Sequence, residues 1–134
     1  MSNEEHLALR VHMMPKHANW LGTVFGGTIL SLVDQAGFHE AQLFGRHRWV
    51  TASMDTVSFQ QPVHIGDMVT LYTNAVEVGT SSVKVEVRVV ATRVETGDEV
   101  VVTTAALTMV AVGPDGKPIP HDAPATAGFE SKHG

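Results

Sequence analysis

The sequence predicts an α+β domain in which one antiparallel sheet wraps around a single long helix. Three observations point there. Thr28–Phe44 (TILSLVDQAGFHEAQLF) carries apolar residues around most of a helical circumference. Four β-rich segments follow it without another helical pattern, and one short apolar segment precedes it. A run of that order is the mark of a layered α+β fold rather than of alternating βαβ units.

Residues 7–13 (LALRVHM) read as the first strand, ended by Pro15, which disfavours regular structure just before it. An irregular stretch, 16–25, closes on Gly26-Gly27. In the helix, Ile29, Leu30, Leu32, Val33, Ala36, Phe38, Ala41 and Phe44 spread over most faces, the pattern of a buried helix. The strands then run 49–59, 68–78, 82–94 and 100–112. The third is clearest, with Val83, Val85, Val87 and Val89 alternating against Lys84, Glu86 and Arg88. Turn signals separate them: Pro62 with Gly66-Asp67, then Gly79-Thr80, then Thr96-Gly97-Asp98. The last strand, VVVTTAALTMVAV, is apolar almost throughout and is expected to lie centrally with both faces covered. The domain is expected to span 1–112. Residues 113–134, rich in Gly, Pro, Ala and charge, read as a C-terminal tail, partly disordered at its end. One helix covers one sheet face only, so valine-rich faces are expected to meet a second copy, making a homo-oligomer.

Bulk properties narrow the function. A chain of 134 residues with 43% apolar content is one packed domain. No apolar run is long enough to span a bilayer. The polar, acidic start, Met1 to His6, lacks the basic and apolar regions of a secretory signal, so a cytoplasmic location is expected. The absence of cysteine excludes disulfides, a thiolate nucleophile and a Cys-based zinc site. A net charge of −5, with basic residues scattered apart from Arg46 and Arg48, argues against a nucleic-acid partner.

Chemistry concentrates in 17–34. Gly26-Gly27 brings a loop without side chains to the first turn of the helix, where free amides and the helix dipole favour an anion or an oxyanion. The alternative is that the two glycines only permit a tight loop. Asp34 falls among Leu30, Leu32, Val33, Ala36, Gly37 and Phe38 on a helix read as buried on most sides. A lone buried carboxylate costs several kcal/mol, so it is kept either for a structural hydrogen bond or for chemistry.

Asn19, Gly22, Gly26, Gly27, Leu30 and Asp34 fit Asn-x-x-Gly-x-x-x-Gly-Gly-x-x-Leu-x-x-x-Asp. With Val50 to Asp55, Phe59-x-x-Pro62-Val63-x-x-Gly66-Asp67, Gly79 to Ser82, Val110 to Val112 and Gly116 to Pro118, the chain resembles the hotdog-fold acyl-CoA hydrolases of the YciA and BACH type over about residues 9 to 120. The resemblance implies a hotdog fold and an acyl-CoA thioesterase that needs no cofactor, coenzyme A being part of substrate and product. It implies Asp34 as general base or nucleophile, Asn19 as the residue positioning the thioester or the water, and Gly26 and Gly27 as the carbonyl-polarising helix end. Phe25, Thr51, Gly79, Thr80, Ser81, Ser82, Lys84 and Lys117 are the implied acyl- and CoA-binding set. Relatives often assemble as trimers of dimers, so a hexamer is implied as well. One departure stands out: the loop basic residue common in the family is Thr80 here, which removes one phosphate contact.

Helix geometry adds a constraint. Asp34 lies eight residues beyond Gly26, about 12 Å along the axis at 1.5 Å per residue. Groups that far apart do not both meet one thioester, so the site is expected to be completed across a two-fold interface, with Asp34 of one chain meeting Asn19 and Gly27 of another.

The eight histidines form no HExxH pattern and no paired helix spacing, so no metal site is expected. Ser31 and Ser53 lack nucleophile-elbow glycines. Trp20 and Phe25 read as loop-packing residues. The competing functions are a hydratase or dehydratase on the same fold, which would want a histidine accompanying Asp34, and a non-catalytic acyl-CoA-binding module, which would not need Asp34.

Overall fold

The computed structural model describes residues 4–126. Its elements are β1 (His6–His12), α1 (Gly26–Ala41), β2 (Arg48–Phe59), β3 (Met68–Val78), β4 (Ser82–Thr92) and β5 (Glu99–Val112). They form one five-stranded antiparallel sheet, ordered β1-β3-β4-β5-β2, with α1 on one face. The α1 connection carries the chain from one edge of the sheet to the other.

Alternation builds the core. Val83, Val85, Val87 and Val89 are almost fully buried; on β3, Val85 pairs with Ala75, Val87 with Thr73 and Val89 with Leu71, and on β5, Val83 pairs with Met109, Val85 with Leu107 and Val87 with Ala105. From the helix, Ile29, Val33 and Ala36 close over them. Burial of each of the valine, leucine, isoleucine and methionine side chains contributes about 2 kcal/mol. Gly37 lets the helix sit low: a Cβ there would come 3.3 Å from Leu107 Cδ2.

Two expectations about burial change. The helix is buried on its sheet side only: Ser31, Asp34, Gln35 and His39 are exposed, because one sheet offers α1 one apolar surface. The outer sheet face is not valine-rich but carries Arg10, Tyr72, Asn74, Lys84, Glu86 and Arg88; Arg88 lies 4.7 Å over the Tyr72 ring and grips Glu5 through two hydrogen bonds of 2.7 and 2.9 Å. Likewise β5 is interior to the sheet, but among the described residues no second layer of the chain covers its outer side. Its outward Thr104, Thr108 and Val110 are half-buried between neighbouring side chains, which is why the run reads as apolar.

Element ends shift by one or two residues. The helix begins two residues early, and its last turn tightens into a 3-10 turn at Gln42–Phe44. Strand β4 stops at Thr92 because Arg93 turns to hold Asp67 and the Pro62 carbonyl.

Residues 113–126, expected to form a tail, lie against the body. Ile119 packs on the core and its amide donates to Ala111 O at 2.9 Å. The His121 amide donates to Thr80 O at 2.9 Å, and His121 Nε2 lies 2.8 Å from Gly79 O. Fully buried His47 spans His121 O at 2.7 Å and Thr126 Oγ1 at 2.9 Å. Gly45 admits this strap, since a Cβ there would sit 2.4 Å from His121 O. The disorder expected at the chain end falls outside the described residues.

One edge of the sheet is open. Strand β2, 12 residues long, leaves Val50, Val57 and Phe59 exposed, and it is broken by two register shifts with Thr56 at φ 49°. Irregularities of that kind are common on edge strands.

Candidate active site

The loop before α1 is shaped by Asn19. Its side-chain oxygen accepts the Leu21 amide at 2.9 Å and the Thr23 amide at 3.2 Å, while its amide nitrogen donates to Thr23 Oγ1 at 3.1 Å. This is an Asx-type turn, in which a short polar side chain stands in for backbone partners. The Val24 amide donates to Val63 O at 2.8 Å and fixes the loop to the segment after β2. The turn thrusts Trp20 into solvent, 91% exposed, with Phe25 half-exposed. Trp20 therefore does not pack within its own chain, because the tight turn points it away from the core.

At the start of α1, Phe25 is the cap residue without a side-chain cap, and its carbonyl takes the Thr28 and Ile29 amides. The Gly26 and Gly27 amides have no acceptor among the described residues. Neither glycine has a positive φ. A Cβ on Gly26 would make an ordinary 3.5 Å contact with the Phe59 ring, and one on Gly27 would meet nothing within 4 Å. The chain's own conformation thus does not require glycine at either place.

Asp34 is exposed, and Thr51 on β2 donates its hydroxyl to Asp34 Oδ1. The same hydroxyl lies 3.5 Å from Met109 Sδ. One carboxylate oxygen is thereby oriented. The buried carboxylate of the helix is Glu40 instead, which accepts from Thr73 Oγ1 at 2.8 Å and from His6 Nδ1 at 2.8 Å. That hydrogen bond, followed by the charge of Glu40, raises the His6 pKa above its ordinary value. Helical arithmetic on the sequence could have found this: Val33, Ala36, Gly37, Glu40 and Ala41 form one stripe, and Asp34 falls off it.

Gly27 and Asp34 share a face, being seven residues apart, with Ser31 exposed between them. They remain two turns apart in one chain. The implied CoA set gathers elsewhere. Gly79, Ser82 and Lys84 line a cavity of about 470 Å³ with Val76, Glu77, Val78 and Thr108. The Gly79 amide donates to Ser82 O at 2.8 Å, closing the loop. Ser81 O accepts the Ala111 amide, and Thr80 O accepts from the 121 strap, so the loop's carbonyls turn inward. Lys117 is exposed in the Gly113–Lys117 turn that precedes this strap. A single chain therefore brings Asp34 together with Thr51, and the loop with Lys84, but does not bring Asn19, Gly26 and Gly27 to Asp34. Among the described residues no three His, Cys, Asp or Glu side chains converge to hold a metal. No helix among them is long and apolar enough to cross a membrane.

An antiparallel sheet curled around one helix, with an uncapped glycine helix start and an exposed oriented carboxylate, defines a hotdog domain carrying thioesterase-type groups. The chain belongs to the thioesterase superfamily, which residues 21–97 match, and within it to the hotdog-fold acyl-CoA thioester hydrolases. It is 36% identical over 117 residues to the acyl-CoA thioester hydrolase YciA of Salmonella typhimurium, covering 85% of this chain and 88% of that one. A hexameric hotdog-fold thioesterase of Campylobacter jejuni superposes with a TM-score of 0.82 at 42% identity, over 87% of this chain and 90% of that chain. The chain spans 63% of an uncharacterised acyl-CoA thioester hydrolase of Bacillus subtilis, to which it is 38% identical over 108 residues, 81% of this chain.

Proposed function

We propose that this protein hydrolyses acyl-CoA thioesters to free carboxylic acid and coenzyme A, at sites shared between two copies. Water attacks the thioester carbon while Asp34 takes its proton. The oxyanion develops against the Gly26 and Gly27 amides of the other copy, and its collapse breaks the carbon–sulfur bond. The CoA thiolate leaves and recovers a proton from the Asp34 carboxyl. Thr51 holds Asp34 in one orientation, and Asn19 keeps the loop that presents the glycines. No metal or redox cofactor enters these steps. The observation that carries the reading is the pair of unaccepted amides at glycines whose missing side chains serve nothing within the chain.

The shared site follows from the exposed face of α1. Two antiparallel helices related by a two-fold axis near Ser31 would set Asp34 of each beside Gly27 of the other, since 31 lies about midway between them. The exposed edge strand β2, next to that face, supplies further surface for the pairing. A hexamer built from such dimers is supported by the hexameric relative in Campylobacter jejuni. The Gly79 to Ser82 loop, Lys84 and Lys117 are assigned to CoA, and Phe25 to the acyl group. A cytoplasmic place of action belongs to the same proposal.

The test is thiol release from acyl-CoAs of graded chain length by the wild type and by Asp34→Asn. Release that the variant loses by about 10² or more supports general-base hydrolysis. Tight CoA-ester binding without turnover at any length would replace it with a binding role.

A further inference from the structure

Beside Gly26 a cavity of about 300 Å³ opens, walled by Val24, Ile29, Phe59 and Val63. Thr103 also lines it. Thr103 is fully buried, and its hydroxyl is the buried side-chain polar atom without a hydrogen-bond partner among the described residues. Its pairing with Val89 on one side and Phe59 on the other puts it on the helix-facing side of β5. The Phe59 ring in turn lies 3.5 Å from where a Gly26 Cβ would be. The helix start, the Phe59 ring and Thr103 are thus consecutive neighbours along one wall.

Gln60 and Gln61, both exposed, are the other polar side chains lining the cavity, and neither bonds the Thr103 hydroxyl; valine would fill the same space as Thr103. A buried hydroxyl left without a partner is costly, and the neighbouring residues offer it none. At about 30 Å³ per water-sized group, the cavity has room for on the order of ten non-hydrogen atoms, a short to medium acyl group.

We propose that Thr103 is a specificity-determining residue, and that the protein prefers acyl groups bearing an oxygen within the first few carbons, as in 3-oxo or 3-hydroxy thioesters, over plain alkanoyl groups. This deepens the thioesterase reading and rests on it. A carbonyl held at the Gly26 and Gly27 amides directs its acyl chain past Phe59, where the Thr103 hydroxyl donates to a keto oxygen or exchanges hydrogen bonds with a hydroxyl. Sites built to bond a substrate oxygen discriminate against analogues that lack it, because their own polar group then stays unpaired.

The test compares matched pairs, butyryl-CoA with 3-oxobutyryl-CoA and hexanoyl-CoA with 3-hydroxyhexanoyl-CoA, by thiol release. Intrinsic reactivities differ within a pair, so the readout is the change in the kcat/KM ratio between wild type and variant. Thr103→Val is expected to lower the oxygenated-to-plain ratio about tenfold, mainly by losing rate on the oxygenated member, whereas Thr103→Ser keeps it within about threefold. Thermal unfolding of both variants checks folding, and Thr103→Val should melt no lower than the wild type. Should Thr103→Val fold poorly, Thr103→Ala gives the same comparison. Turnover of plain thioesters with a ratio unmoved by Thr103→Val overturns this inference and leaves the hydrolase standing. Absence of turnover on every thioester removes the hydrolase and this inference with it.

Discussion

If Asp34 of one copy works with Gly27 of another, two inactive variants should rescue each other. Gly27→Val is suited to the purpose, because a Cβ there meets nothing within 4 Å in its own chain and the branched side chain would stand at the approach to the first-turn amides. Asp34→Asn is suited as well: Asp34 is exposed, so the fold does not depend on its charge. Each variant alone has only defective sites. In a randomly assorted 1:1 mixture about half the dimers are mixed, and each mixed dimer has one site with both defects and one with none, so activity should return to about a quarter of wild type. The separation behind this is about 12 Å between Gly26 and Asp34 in one helix. The assay is thiol release after mild dissociation and reassembly, with native mass spectrometry confirming mixed oligomers. Confirmed mixed oligomers that stay inactive would refute the shared site, since a site built within one chain gives no rescue.

Four further outcomes follow from particular contacts. Thr51→Val should lower kcat about three- to tenfold with little change in KM, because it frees the Asp34 carboxylate to rotate rather than removing it; steady-state kinetics on one acyl-CoA checks this. His47→Ala should cost about 2–4 kcal/mol in urea unfolding by removing a fully buried ring and two hydrogen bonds, and should raise KM because the released strap no longer supports Gly79 and Thr80. The raised pKa of His6 makes its pairing with Glu40 a stabilising term at low pH. That term is fully present below the unfolded value of 6.5 and disappears as pH rises through the higher folded value, so melting temperature should fall as pH rises above 6.5, and His6→Gln should flatten that fall. Thr80→Arg, restoring the cation common in the family, should lower KM for acyl-CoA at low salt, with the gain shrinking as salt is added.

The strands were legible because their alternation is written in single residues: Val83, Val85, Val87 and Val89 can face only one way, and β4 follows. The glycine pair and Asp34 were legible as a pattern, and the structure adds that the chain's own conformation does not demand glycine at either place. The environment of Asp34 was not legible because apolar residues occur all around α1 in the sequence, while the sheet covers only one stripe of it. The stripe through Val33, Ala36 and Gly37 continues to Glu40, so the helix buries Glu40 and leaves Asp34 outside. The strap from Ile119 to Thr126 could not be read, since its anchors are long-range contacts of His47 and of loop carbonyls that leave no local periodicity. Thr103 escaped notice for a similar reason: a threonine in a strand is unremarkable until its hydroxyl is found without a partner.

A crystal structure of the oligomer with a non-hydrolysable acyl-CoA analogue would show whether the site is shared between copies. The analogue's carbonyl oxygen is expected about 3 Å from the Gly27 amide of one copy, with Asp34 of a second copy within one water of the carbonyl carbon. An analogue bound with Asp34 more than about 8 Å from that carbon, or with both groups contributed by the same chain, would contradict it.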